Sequence, residues 1–190
     1  MLYDIVKKCR SYRRFYEAEL IEETTLRELV GLARYAASGG NQQPLKYRLV
    51  CRPSENQKVF ETLKWAGALP DWDGPEAGER PAGYIIMLCD KTIGSSKQWD
   101  EGIAAQTIML GAVEAGLGGC MLGSVNRPQL AQHLGIDSER YHISLVLALG
   151  KPKEEVVVVP VGADGSVAYY RDEQQVHYVP KRDLDDLLVQ

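Results

Sequence analysis

Histidine is scarce in this chain, with 3 in 190 residues, and its 4 cysteines never form a Cys-x-x-Cys pair. Cys9, Cys51, Cys89 and Cys120 are spread along the sequence, a spacing that fits neither a zinc site nor a disulfide framework. Cys51 and Cys89 sit in apolar, strand-like runs and read as buried thiols, which suits a reducing compartment. A basic excess is also lacking: 22 Lys and Arg stand against 26 Asp and Glu, for a net charge of −4 and a pI near 5.5. That argues against a general nucleic-acid binder. Long apolar runs are missing too. Met1 to Arg14 carries Lys7, Lys8, Arg10, Arg13 and Arg14 and has no apolar stretch of the kind a secretory signal needs. The least charged segment, Gly102 to Asn126, is interrupted by Glu114, and neither side of it is long enough to span a bilayer. A soluble, cytoplasmic protein is expected.

Several common catalytic signatures are absent. Gly116 and Gly118 begin a dinucleotide fingerprint, but Met121 stands where its third glycine belongs. Gly118 and Gly123 have the spacing of a nucleotide phosphate loop, yet Ser124 follows in place of lysine. No His-Glu-x-x-His and no Gly-x-Ser-x-Gly occurs.

What is present is an ordinary globular composition, 45% hydrophobic and 25% charged, at a length that suits a single domain over residues 1–190. Residues 2–8 read as a short helix. Thr24 or Thr25 can cap a second helix running to about Ala37, through Leu26, Leu29, Val30 and Ala33. Tyr47 to Cys51 reads as a strand, and Pro53 opens a helix through Val59, Phe60 and Leu63. Pro70 to Pro81 is a loop rich in Gly and Pro. Tyr84 to Cys89 is a continuous apolar run, the mark of a strand covered on both faces. Residues 97–116 form a long helix of small residues, and a shorter helix follows Pro128. His142 to Leu149 is a second buried strand, and Val156 to Val161 a third. Asp164-Gly165 makes a turn, and Pro180 to Val189 is expected to be a short helix. Helices and strands mix without strict alternation, which favours α+β layers over a doubly wound fold.

Three segments carry candidate chemistry. Arg10-Ser11-Tyr12-Arg13-Arg14-Phe15 combines guanidiniums with a hydroxyl, a set that suits a phosphate. A solvated basic surface gives the same composition. Ser38-Gly39-Gly40-Asn41-Gln42-Gln43-Pro44 places amides between a helix end and a strand. Such amides offer both donors and acceptors to a flat heterocycle, although a polar turn would look alike. Gly116 to Ser124 is a glycine-rich stretch whose backbone N–H groups are open to a ligand, or else a tight helix-to-strand connection.

Taken in this order, the segments resemble the FMN-dependent nitroreductase family. Cys9 to Phe15 is similar to that family's opening Arg-Arg-Ser-x-Arg-Lys-Phe run. Ala36 to Leu45 resembles Ala-Pro-Ser-x-x-Asn-x-Gln-Pro-Trp, and Gly116 to Gly123 resembles Gly-Leu-Gly-x-x-x-x-Gly. Pro180-Lys181-Arg182 looks like its basic closing segment. Cys9 stands in place of the first arginine, Ala37 in place of the proline and Leu45 in place of the tryptophan.

The resemblance implies a nitroreductase-like three-layer α-β-α sandwich of the α+β class, with a mixed, mainly antiparallel sheet. It implies FMN as cofactor, NADH or NADPH as electron donor, and a ping-pong transfer of hydride through flavin N5 to a nitroaromatic or quinone-type acceptor. By the same resemblance, Arg10 and Ser11 hold the phosphate and ribityl chain, and Arg13 lies near the N1–O2 edge. Ser38, Asn41 and Gln43 line the phosphate-side and pyrimidine contacts. Leu122, Gly123 and Ser124 bring backbone N–H to N5, and Lys181 or Arg182 clamps the phosphate. No side-chain acid or base is then obligatory, and His133, His142 and His177 read as structural. The family also implies a homodimer with FMN at its interface. Trp65 to Pro81, with Asp71, Trp72 and Asp73, would be a rim over the flavin or an ordinary surface loop. Competing readings are a specialised flavin enzyme of the same fold, a flavin-binding sensor or reservoir without turnover, and a generic anion-binding domain.

Overall fold

A central antiparallel sheet organises the chain. The computed structural model describes residues 1–95 and 98–189. The sheet is built from β1 (Leu45–Val50), β2 (Gly83–Asp90), β3 (Gly118–Leu122) and β4 (Tyr141–Gly150), in the order β1-β2-β4-β3. Every residue of β2 is buried, as its continuous apolar run predicts. Its side chains alternate between two cores. Ile85 and Met87 face α2 (Glu23–Ala33) and α4 (Gln98–Glu114), where Leu26, Leu29, Ala105 and Ile108 pack. Tyr84, Ile86 and Leu88 face α3 (Pro53–Phe60) and α5 (Arg127–Leu134), against Val59 and Leu130. The period of two along the strand therefore produces the three α-β-α layers directly. Helix α1 (Leu2–Lys8) buries none of its residues and leans on α4.

Beyond this sandwich lies a second sheet of β5 (Val156–Pro160), β6 (Tyr170–Arg171) and β7 (His177–Lys181), ordered β5-β7-β6, with β5 and β7 parallel. The mixed, mainly antiparallel α+β architecture is thus present.

Several expectations need correction. Helix α2 starts at Glu23 after the extended residue Glu22, with no threonine cap, and ends at Ala33 instead of Ala37. Helix α3 ends at Phe60, before Leu63. Gly118–Leu122 is a strand and not merely a connection. The tail is not a helix from Pro180: β7 runs to Lys181, and a short 3₁₀ turn follows at Asp185–Leu187. Val176 to Val179 is β-branched and aromatic, which favours an extended backbone. Lys97, the expected first residue of the long helix, lies outside the described residues. Cys51 is only partly buried, unlike Cys9, Cys89 and Cys120.

Small residues of α4 serve contacts within the chain. A Cβ added at Gly111 would lie 2.3 Å from Leu32 Cδ1, so α2 and α4 approach closely there. Among the described residues, no helix is long and apolar enough to cross a membrane.

Candidate functional site

The basic segment Arg10–Phe15 lies beside β3 because glycines let it in. Tyr12 N–H donates to the Gly119 carbonyl at 2.9 Å, and Ser11 bridges Gly119 in parallel. A Cβ at Gly119 would sit 2.3 Å from the Ala148 carbonyl, and one at Gly150 would meet Phe15 at 2.7 Å. These positions admit no larger residue without a shift of backbone or ring.

The three arginines of this segment part ways. The Arg14 guanidinium pairs with Glu79, Nη2 to Oε1 at 2.7 Å, and Lys153 joins the same oxygen at 2.8 Å. These cations hold the Glu79 carboxyl down at about 2, Arg14 being the main cause. Arg13 is buried, its guanidinium 4.8 Å from the centre of the Tyr169 ring. Its backbone N–H donates to Glu154, whose other oxygen accepts from Arg171 at 2.9 Å. The Glu154 side chain is wholly buried and that of Arg171 nearly so. Burial pulls the Arg171 guanidinium below its ordinary value, and Glu154 opposes that pull. Arg171 in turn covers Trp72 at 4.2 Å. Arg10 donates from Nη2 to the Val6 carbonyl at 3.2 Å. The Nε atoms of Arg10 and Arg13 are both buried without a hydrogen-bond partner among the described residues. The Ser11 residue beside them is exposed. A buried donor without a partner is a group that an anion or carbonyl would complete.

The Ser38–Gln43 loop precedes β1. Gly40, Asn41 and Gln43 take φ values of 59°, 54° and 52°. For Asn41 and Gln43, which are not glycine, this left-handed backbone costs on the order of 1 kcal/mol each. Asp100, 2% exposed in the first turn of α4, holds the loop. Its carboxylate accepts from Ser38 Oγ at 2.8 Å and from Gly39 N–H at 3.0 Å. Ser38, Gln43 and Asp100 line a cavity of about 530 Å³, with Arg34, Tyr47 and Ala104 among its other walls.

Leu122 is buried at the end of β3, whereas Gly123 and Ser124 are exposed there. Those two line a second cavity, of about 570 Å³, with Thr62, Lys64 and Arg127. Lys181 and Arg182 are exposed at the end of β7.

One chain does not bring the amide loop and the basic segment together. The loop enters the sheet at the row Leu45–Cys89–His142, while Ser11 meets Gly119 opposite Leu149. Four strand spacings, the last being the bridge from β3 to Ser11, and about seven residues separate them, roughly 30 Å on the diagonal.

Burial raises the Cys9 and Cys120 thiols, which disfavours the reactive thiolate. Trp65 is buried in the core beside Phe60, and Trp72 is tied to Arg171, so neither tryptophan is a free rim. His177 is buried against Tyr169, His133 donates to the Lys58 carbonyl at 3.0 Å, and His142 is exposed. Sequence reasoning missed Asp100, Glu154 and Arg171. Asp100 resembles any acidic residue at a helix start, and Glu154 sits in a run, Lys151 to Glu155, that reads as solvated surface.

The sequence profile of the nitroreductase family matches residues 6–151. Solved structures share the fold. A nitroreductase family protein from Clostridium novyi NT aligns at TM-score 0.66 and 22% identity, covering 80% of this chain and 87% of its own. A protein from Desulfovibrio desulfuricans described as a nitroreductase, in complex with FMN, aligns at TM-score 0.72 and 19% identity, covering 100% and 95%. A Staphylococcus epidermidis protein described as an NAD(P)H:FMN oxidoreductase aligns at TM-score 0.69 and 17% identity, also covering 100% and 95%.

Proposed function

Since the chain belongs to the nitroreductase family, we propose that it is an FMN-dependent oxidoreductase, working as a cytoplasmic homodimer. The observation that carries this reading is that the Nε atoms of Arg10 and Arg13, which flank Ser11 in the sequence, are each buried without a hydrogen-bond partner among the described residues. They fit a ligand that brings a phosphate dianion and a carbonyl-edged ring. Arg10, Ser11 and either Lys181 or Arg182 would hold the phosphate. Arg13 would favour negative charge at the N1–O2 edge, since a buried cation is strongly felt where water is excluded. Ser38, Asn41 and Gln43 would meet the phosphate side and the pyrimidine edge. Backbone N–H groups of the Leu122–Ser124 stretch would donate to N5, with the Leu122 side chain anchoring that stretch in the core. When bound, FMN would supply the redox chemistry, taking hydride from NADH or NADPH and reducing a nitroaromatic or quinone acceptor.

The separation within one chain supports a two-copy site. The amide loop of one chain and the basic segment of another can reach one flavin together, whereas in a single chain they lie at opposite corners of the sheet. Exposed Leu2, Tyr3 and Val6 of α1, with Trp99 and Ile103 of α4, give an apolar surface for such pairing.

Anaerobic mixing of the FMN-loaded protein with NADH or NADPH tests the activity. Bleaching of the flavin, followed by recovery of colour on adding a quinone or nitroaromatic, is expected. Persistent colour with both donors contradicts a nicotinamide-driven enzyme.

A further inference from the structure

The strained loop before β1 raises a physical question: what keeps Asn41 and Gln43 in left-handed backbone when a relaxed turn is available to them. Neither residue is buried, so packing does not hold them. A relay of hydrogen bonds does. The Ser38 hydroxyl donates to Asp100 Oδ2 at 2.8 Å, and Gly39 N–H donates to Oδ1 at 3.0 Å. Ser38 Oγ accepts Gln43 N–H at 3.0 Å, which closes the loop on itself. Gln43 Nε2 then donates to Asn41 Oδ1 at 3.0 Å, so the two amide side chains are held as a pair. Asp100 belongs to α4, whose N-terminal end favours a carboxylate. The anchor is therefore rigid, buried and 62 residues distant in sequence from Ser38.

We infer that Asp100 is a positioning residue, whose carboxylate holds the Ser38–Gln43 loop in the shape that presents the Asn41 and Gln43 amides to the flavin. This rests on the cofactor reading above. Asp100 touches no reacting atom in this role. It acts through Ser38 and Gly39, and its loss would relax the loop without removing either amide.

Two measurements test it, on Asp100→Ala, Asp100→Asn, Asn41→Ala and the Asp100→Ala/Asn41→Ala double variant. The first is hydrogen exchange at the Gly39 and Gln43 amides of the flavin-free protein. The second is titration of the deflavinated protein with FMN. Asp100→Ala should speed exchange at both amides and weaken FMN about tenfold or more, as loss of a charge-assisted hydrogen bond implies. Asp100→Asn should stay within about threefold of the parent, because its amide oxygen still accepts Gly39 N–H. The double variant should bind FMN no more weakly than Asp100→Ala alone, because a released loop no longer places Asn41. Additive losses, or unchanged FMN affinity in an Asp100→Ala protein that merely melts earlier, overturn the assignment. A parent protein that binds no FMN defeats the cofactor reading itself and takes this role with it. A parent that binds FMN as well as Asp100→Ala does defeats Asp100 alone.

Discussion

Glu154→Ala should be among the most damaging substitutions in this chain, although Glu154 stands in a charged run that looks dispensable. The carboxylate is fully buried and serves three donors: the backbone N–H groups of Arg13 and Arg14 and the guanidinium of Arg171. Removing it strands the Arg171 charge, whose side chain is 7% exposed, and leaves the backbone donors without their acceptor. Breaking a buried pair from one side costs roughly 3–5 kcal/mol. In a domain of this size each kcal/mol lowers the melting temperature by about 2–4 °C, so a fall on the order of 10 °C is expected. Urea unfolding followed by circular dichroism at neutral pH measures the loss. The double variant Glu154→Ala/Arg171→Met removes both charges and should recover a large part of it, since a buried pair replaced by apolar groups is close to neutral. A single variant within about 1 kcal/mol of the parent would show that Glu154 behaves as an ordinary surface residue. A double variant no more stable than the single would contradict the stranded charge of Arg171.

Other consequences can be measured in the same way. Glu79 and His177 both titrate below their ordinary values in the folded protein, so each stabilises the fold at neutral pH and loses that contribution in acid. His177 is pushed down to about 4 by burial, with Arg13 and Arg171 adding repulsion, so its share fades as pH falls from 6.5 to about 4. Glu79 is held at about 2, and its share fades from 4.5 to about 2. His177→Gln should flatten the upper part of the acid stability curve and Glu79→Gln the lower part; identical curves for parent and variants would contradict this. Gly119→Ala should destabilise by about 1–3 kcal/mol in urea unfolding, because its methyl meets the Ala148 carbonyl at 2.3 Å. Arg10→Ala and Lys181→Ala should weaken FMN binding but leave unfolding in urea nearly unchanged, and unchanged FMN affinity in the double variant would count against the phosphate assignment.

Much of the sandwich was legible because its signals are local. The run Tyr84 to Cys89 reads as a strand covered on both faces, and it is one of the two inner strands of the sheet. Strand β3 was hidden because Gly118 and Gly119 have little strand propensity; they are there so that the Arg10–Phe15 segment and β4 can approach. The tail differs from its expected helix because Leu184, Leu187 and Leu188, which suggest a helical stripe, are all exposed, so that stripe gains little from burial. Of the candidate site, the residues that would touch a ligand lie in short polar or basic runs and can be read directly. Their supports cannot: Asp100 and Glu154 act across 62 and 141 residues of sequence. A carboxylate that binds backbone N–H groups carries no pattern in the chain around it.

Flavin binding is tested most simply by the visible absorption spectrum of the purified protein, taken after adding FMN and removing unbound flavin by gel filtration. A yellow protein with flavin bands stoichiometric with chains, eluting as a dimer, is expected. A colourless protein that retains no FMN would contradict it.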